Sequence, residues 1–263
     1  MNEKELKEQH LDYLKLLFNN GDWVAINDST SRVTPAVSLE TAAKTMSFYM
    51  AVNPIKKGTT RAQVNVARNS AWLLEADKEY LDFETPLKDQ NGNDVPISIE
   101  KQKELIEKSG IPFATIVFSG GKSMHIIPRV RQNLSVETWK AVWNAFAHVL
   151  WQYGMRIDPQ TCDRARWTRR PGVLRDETGE YQTLWKVGKV IQFEELEAWF
   201  SKHNVDWKDY LESNKEDRYL DWSADSLPST EDAHKAVVRY MFKGRTFGSE
   251  SRAMDAFHYF KRM

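Results

Sequence analysis

An α+β fold with an antiparallel sheet follows from three features of the sequence. Phe113–Phe118 and Met124–Pro128 are strand-like apolar stretches joined by Ser119-Gly120-Gly121-Lys122-Ser123, which reads as a hairpin. Val136–Tyr153 sets Trp139, Val142, Trp143, Phe146, Val149 and Leu150 at helical spacing, an apolar face wide enough to cover that sheet. The chain also has 10 Trp, 9 Tyr and 12 Phe in 263 residues, ample material for a core.

The remaining elements follow in order. Residues 3–19 form an amphipathic helix with Leu6, Leu14, Leu17 and Phe18 on one side, stopped near Asn19-Asn20-Gly21. Trp23–Ile26 is a short strand, Ser38–Thr45 a helix, and Phe48–Val52 a strand ended by Asn53-Pro54. Ala71–Asp77 reads as a buried strand that finishes in carboxylates. Ser98–Ser109 is a helix with Gly110 as its C-terminal cap. Val190–Phe193 and a helix over Glu194–His203 complete a first unit, residues 1–210. A charged, Ser/Asp/Glu-rich linker then covers 211–228, and a helical region over 229–263 carries helices at Thr230–Phe242 and Ser249–Arg262. The sequence stops at Lys261-Arg262-Met263 without a cap or tail, as a piece of a longer protein would.

Composition excludes several classes. No apolar run approaches the ~20 residues of a membrane span, and the N-terminus has no apolar signal region. A single cysteine, Cys162, rules out an internal disulfide and a multi-cysteine zinc site, and fits the cytoplasm. The net charge of zero hides a segregation. Residues 119–175 hold ten Lys/Arg and three Asp/Glu, a net of +7, which leaves −7 elsewhere.

Three groups of residues carry chemistry. Glu75 and Asp77 lie two apart at the end of an apolar strand, so their carboxylates project to one face. Two such groups repel unless a cation lies between them, and hard oxygen ligands favour Mg²⁺ or Mn²⁺. The plainer reading is a pair of surface acids. Second, the glycines of Ser119-Gly120-Gly121-Lys122-Ser123-Met124-His125 allow a tight anion-binding turn, and Ser119, Lys122, Ser123 and His125 can donate to phosphate oxygens. A P-loop is rejected, because Ile116 occupies the position of its first glycine and a strand follows where that loop needs a helix. A Gly-Gly hairpin with an unrelated histidine is the alternative. Third, Arg156–Gly172 holds five arginines, whose forks suit phosphates. Asp158 within it can join Glu75 and Asp77 as a third acid, with Asp163 as its rival. Cys162 reads as a packing residue.

In this order and at these intervals the three groups resemble the catalytic core of the archaeo-eukaryotic primase superfamily, above all the primase-polymerases of phages, plasmids and other mobile elements. Val52-Asn53-Pro54 and Gly58 share the likeness, which spans residues 45–190. The resemblance implies an RRM-like antiparallel-sheet core with flanking helices and a template-directed nucleotidyltransferase, a DNA primase or polymerase. It implies two Mg²⁺ or Mn²⁺ ions on Glu75, Asp77 and Asp158, with Ser119, Lys122, Ser123 and His125 on the triphosphate and Arg169 and Arg170 as basic nucleotide-binding residues. Single-stranded DNA template, primer and nucleoside triphosphates are the implied partners, with a helicase in the parent protein or in trans. Template contact falls to the +7 segment, with Trp167 or other exposed aromatics as base-stacking surfaces; Trp139 and Trp143 belong to the core.

Two departures stand out. Glu75 occupies a position where D-x-D is more usual, and the zinc element of several members cannot form with one cysteine. The rival readings are a metal-dependent nuclease or nicking initiator, which commonly uses H-x-H ligands where this chain has His125-Ile126-Ile127, and a non-catalytic single-stranded nucleic-acid binding module.

Overall fold

The computed structural model describes residues 2–28, 34–81 and 85–212, so the expected linker beyond residue 212 and the expected helices over 229–263 lie outside the described residues. The helices are α1 (Glu3–Leu17), α2 (Leu39–Lys44), α3 (Ile99–Ser109), α4 (Val136–Gln152), α5 (Phe193–Lys202) and α6 (Asp209–Glu212). The strands are β1 (Trp23–Val24), β2 (Ile26–Asn27), β3 (Val37–Ser38), β4 (Tyr49–Ala51), β5 (Leu74–Glu75), β6 (Thr115–Phe118), β7 (Met124–Ile127), β8 (Trp167–Arg169), β9 (Leu174–Arg175), β10 (Glu180–Tyr181) and β11 (Thr183–Val187). The fold class is α+β, as the sequence predicts.

Two antiparallel sheets matter for function. One has the order β11-β6-β7-β5, with the β6–β7 hairpin at its centre; the other has the order β2-β4-β8. Alternation along the larger sheet sends Leu74, Ile116, Met124 and Ile126 to one face, where they pack with Trp139, Val142, Trp143 and Phe146 of α4 and Leu196 and Phe200 of α5. The opposite face turns Leu73, Val117 and Ile127 toward Tyr13, Leu14 and Leu17 of α1 and Met50 of β4. Glu75 and His125, paired across β5 and β7, belong to this second face.

The helices form where their caps allow. Ser98 and Ser135 accept the Lys101 and Thr138 backbone N–H groups at the starts of α3 and α4, and Gly110 ends α3 with φ of +57°, a left-handed conformation that glycine adopts without strain. Two indoles lock α4 to the strand ahead of Glu75. Trp72 Nε1 donates to the Trp139 carbonyl (3.0 Å), Trp139 Nε1 donates to the Ala71 carbonyl (2.9 Å), and the rings stack 6.0 Å apart.

Only Leu74–Glu75 of the expected strand Ala71–Asp77 pairs as a continuous ladder. The register places Pro128 opposite Trp72, and proline has no N–H to donate, so the ladder breaks there. Asn53 restores order behind the break. Its side chain accepts from the Ser70 and Ala71 N–H groups (3.1 and 2.9 Å) and donates to the Ala71 and Arg164 carbonyls (2.8 and 3.0 Å), which ties the end of β4 to the strand leading to Glu75 and to the arginine-rich segment. The sequence reading assigns no strand to residues 167–187, although Thr183-Leu184-Trp185-Lys186-Val187 is rich in strand formers; the structure places β8 to β11 there.

Candidate active site between two sheets

His125 is the hinge of the site. Its ring reaches from β7 to β8, where Nδ1 lies 3.1 Å from Thr168 Oγ1 and accepts the Arg169 backbone N–H at 3.3 Å. A nitrogen that accepts is unprotonated, so Nε2 carries the ring proton and points at Glu75 Oε1, 3.6 Å away. Burial would raise the Glu75 pKa, but the adjacent His125, with help from Ser123 and Arg166, outweighs it and holds the carboxyl down at about 2. Glu75 is therefore a carboxylate throughout the neutral range.

The other two acids lie beside it. Asp77, two residues on, meets Lys122 Nζ at 2.9 Å. The Asp158 backbone N–H donates to the Glu75 carbonyl (2.8 Å), so the third acid is tethered to the first by the main chain. Its side chain caps the 3₁₀ turn Pro159–Thr161 through the Gln160 N–H (2.9 Å) and faces Arg166 at 3.7 Å. Asp163 points elsewhere: it accepts the Ala165 N–H (2.9 Å) and pairs with Arg61 (3.4 Å). Both aspartates thus cap turns; what distinguishes them is the main-chain bond of Asp158 to Glu75 and the ion pair of Asp163 with Arg61.

The Gly-Gly loop has a buried wall and an exposed rim. Ser119, Ser123 and His125 are buried, with Ser119 Oγ 3.1 Å from Ser123 Oγ and accepting the Ser123 N–H (3.3 Å). Gln102 of α3 fixes the loop from behind, donating to the Lys122 carbonyl (2.8 Å) and accepting the Met124 N–H (2.8 Å). Gly120 has φ of +70°, and a Cβ on Gly121 would collide with Arg175 Nη1. Lys122 is the exposed member, with its side chain 66% accessible against 15% for Asp77. A strand, β7, follows Lys122-Ser123, as the rejection of a P-loop requires.

Not every expected residue arrives. Arg170 is fully buried away from this cluster: Nε donates to His10 Nδ1 (3.0 Å), Nη1 to Ser47 Oγ (2.7 Å) and Nη2 to the Ala42 carbonyl. Alternation on β8 explains the split, since Arg169 stays at the rim, its guanidinium 4.3 Å from the centre of the Tyr49 ring, while its neighbour turns inward. Trp167 is corrected as an open stacking surface, because the Arg61 guanidinium lies over its ring at 4.9 Å. Trp139 and Trp143 are core, and burial lifts the Cys162 thiol to about 12, which keeps it inert.

Three participants escaped sequence reasoning. Thr168 and Arg175 contact the site only because β8 and the β9–β10 hairpin fold against it, for which the sequence holds no local signal; Arg166 is visible as one of the five arginines, without a partner assigned.

The donor set suits a hard divalent cation: three carboxylates on neighbouring segments, with no cysteine among them. Each carboxylate instead faces a basic side chain, His125, Lys122 or Arg166, and among the described residues no three His, Cys, Asp or Glu side chains converge closely enough to hold a metal. No helix of the described residues is long and apolar enough to cross a membrane.

No protein-family model matches the chain, and no curated protein matches it in sequence. Solved structures do. The chain superimposes on the archaeo-eukaryotic primase domain of the cyanophage S-2L primase-polymerase with a TM-score of 0.51 at 17% identity, covering 74% of this chain and 97% of that one. The catalytic domain of primase RepB′ in complex with initiator DNA gives a TM-score of 0.49 at 12% identity, covering 81% and 100%; RepB′ primase itself gives 0.47 at 11%, covering 80% and 66%. The fold expected from the three sequence groups is the one found: this chain has the fold of primase-polymerase catalytic domains.

Proposed function

We propose that the chain is a template-directed nucleotidyltransferase that joins nucleoside triphosphates to a 3′-hydroxyl on a single-stranded DNA template, in the replication of a mobile element. One observation carries this reading. Glu75, Asp77 and Asp158 lie on adjoining segments, each facing a basic side chain, beside a glycine turn whose serines form a buried wall with His125. Phosphoryl transfer asks for that pairing of carboxylates with positive charge and needs no covalent nucleophile.

The carboxylates of Glu75, Asp77 and Asp158 would hold Mg²⁺ or Mn²⁺, which when bound activates the 3′-hydroxyl and offsets charge developing on the phosphates. The rest is the work of the chain itself. Lys122, on the exposed rim, exchanges Asp77 for triphosphate oxygens. His125 keeps its Nε2 proton directed at the site because Nδ1 is occupied by the Arg169 N–H, so it serves as a fixed donor. The N–H groups of Gly120 to Lys122 offer further donors to the triphosphate, and Arg169 and Arg175 add charge at its edge. Arg170 has no part in nucleotide binding; it holds α1 and α2 to β8 through His10 and Ala42.

Incubation of the full chain with primed single-stranded DNA, labelled nucleotides and Mg²⁺ or Mn²⁺ tests the reading. Primer extension that falls by about a thousandfold in Asp77→Asn, with the melting temperature kept, supports it. Strand cleavage without extension would replace it with a nuclease, and DNA binding with neither activity would leave a binding module.

A further inference from the structure

One face of the β2-β4-β8 sheet carries cations and aromatic rings around the buried Ala51. On β8, Trp167 and Arg169 point away from the buried Thr168, and the register of β4 with β8 sets Tyr49 opposite Arg169. Arg169 covers Tyr49 at 4.3 Å, Tyr49 and Trp167 are 6.5 Å apart, and Arg61 covers Trp167 at 4.9 Å. Trp23, packed on the same alanine-rich cluster as Trp167, carries Lys57 at 5.1 Å.

The stretch of chain flanking this face is basic: from residue 41 to residue 74 it has Lys44, Lys56, Lys57, Arg61 and Arg68 and no acid, with Lys44 paired to Glu40 and Arg68 to Asp22. Arg61 has Asp163 as a partner at 3.4 Å and donates to the Ala165 carbonyl (2.8 Å), which anchors its loop on the segment leading into β8. Among the described residues neither Arg169 nor Lys57 pairs with a carboxylate within 4.0 Å. A cation resting on an aromatic face keeps its polar edge for an anion, and the ring limits the side-chain freedom lost on binding. This face adjoins the candidate active site, since the Arg169 backbone N–H is bonded to His125.

We propose that this face is the track for the single-stranded DNA template, held by its phosphates on Lys57, Arg61 and Arg169, with the ring edges of Trp23, Trp167 and Tyr49 against its sugars and bases. The proposal rests on the nucleotidyltransferase reading for the strand's purpose, and on charge and geometry for its place. A flexible polyanion suits spaced cations on a sheet face, and affinity built in this way tolerates any base sequence.

The test is the affinity of the full chain for a fluorescent oligothymidylate, read by anisotropy from about 50 to 200 mM salt. Lys57→Gln removes an exposed side chain that the fold does not need, and Arg61→Gln removes the next cation. The expected result is weaker binding in each and a log–log salt slope shallower by about 0.7 for each phosphate no longer neutralised, with the affinity for nucleoside triphosphate unchanged. Arg61→Lys should restore part of the loss, which separates charge from loop anchoring. Wild-type affinity and slope in both Gln variants would overturn the track, as would failure of the unaltered chain to bind the oligomer or a preference for duplex of the same length. Its fate is separable from that of the enzyme. Unchanged binding by variants of a chain that extends primers sinks the track alone, and reduced binding by variants of a chain that incorporates no nucleotide sinks the enzyme and leaves the track.

Discussion

The two faces of the β11-β6-β7-β5 sheet share strands, register and length, yet they do different work. Leu74, Ile116, Met124 and Ile126 on one face disappear under α4 and α5, where Trp72, Trp139 and Phe146 interlock. One residue further along the same strands, Glu75 and His125 turn to the other face and meet Thr168 of the second sheet. A period of two is enough to put a dry core and a charged site back to back, and the core makes the site rigid: both indoles that clamp α4 act within four residues of Glu75.

Substitutions on the two faces should therefore separate stability from chemistry. The largest expected effect on stability is Trp72→Ala, which should cost about 3–5 kcal/mol in chemical denaturation through the missing stack and the cavity. Asp77→Asn should cost no more than about 1 kcal/mol in the same measurement, since Asn keeps the size of the side chain and gives up only an ion pair with the exposed Lys122. Equal losses for both would mean that the division between the faces is wrong.

The neighbours Arg169 and Arg170 give the same contrast within one strand. Arg170→Met should lower stability by about 3 kcal/mol, because it strands His10, Ser47 and the Ala42 carbonyl in a buried space, and should leave nucleotide affinity intact in whatever fraction folds. Arg169→Met should reverse the pattern, with near-native melting and weaker binding of triphosphate and template.

A pH series sharpens the point. Burial, and then the charge of Arg170, hold His10 down at about 3, from an ordinary value of 6.5. The unfolded chain takes up this proton below pH 6.5 and the folded chain does not, so stability is full above pH 6.5 and falls as the pH drops toward 3, by up to about 1.4 kcal/mol per pH unit. His10→Gln should remove that component of the acid slope in thermal melts; an unchanged slope would show that His10 titrates alike in both states. The smallest effect belongs to Lys122→Met, expected to raise the nucleotide KM about tenfold with a lesser change in kcat, as removal of a rim interaction made before the transition state should.

The site was legible where its chemistry is local. Glu75 at the end of a strand with Asp77 two residues beyond it, a glycine pair between two apolar stretches, and Ser98 and Gly110 bracketing a helix are short-range patterns that backbone periodicity and capping make readable. What the sequence hid depends on long-range packing. Arg170 sits in an arginine run and gives no sign that His10, 160 residues away, will bury it. Arg175 reaches Gly121 only because β9 and β10 fold back over the turn, and strands of two residues leave no periodicity to read. Trp167 reads as an open platform in the sequence because the arginine that covers it comes from the distant Arg61 loop.

The proposed chemistry depends on carboxylates from the segments near 76 and 158 acting together on divalent cations. Titration of Mn²⁺ into the full chain with a non-hydrolysable nucleoside triphosphate, followed by electron paramagnetic resonance, tests this without relying on turnover. Tight Mn²⁺ binding that is lost in Glu75→Gln and again in Asp158→Asn, with both variants folded, is the predicted result. Mn²⁺ uptake no greater than that of the nucleotide alone, or uptake untouched by either substitution, would contradict it.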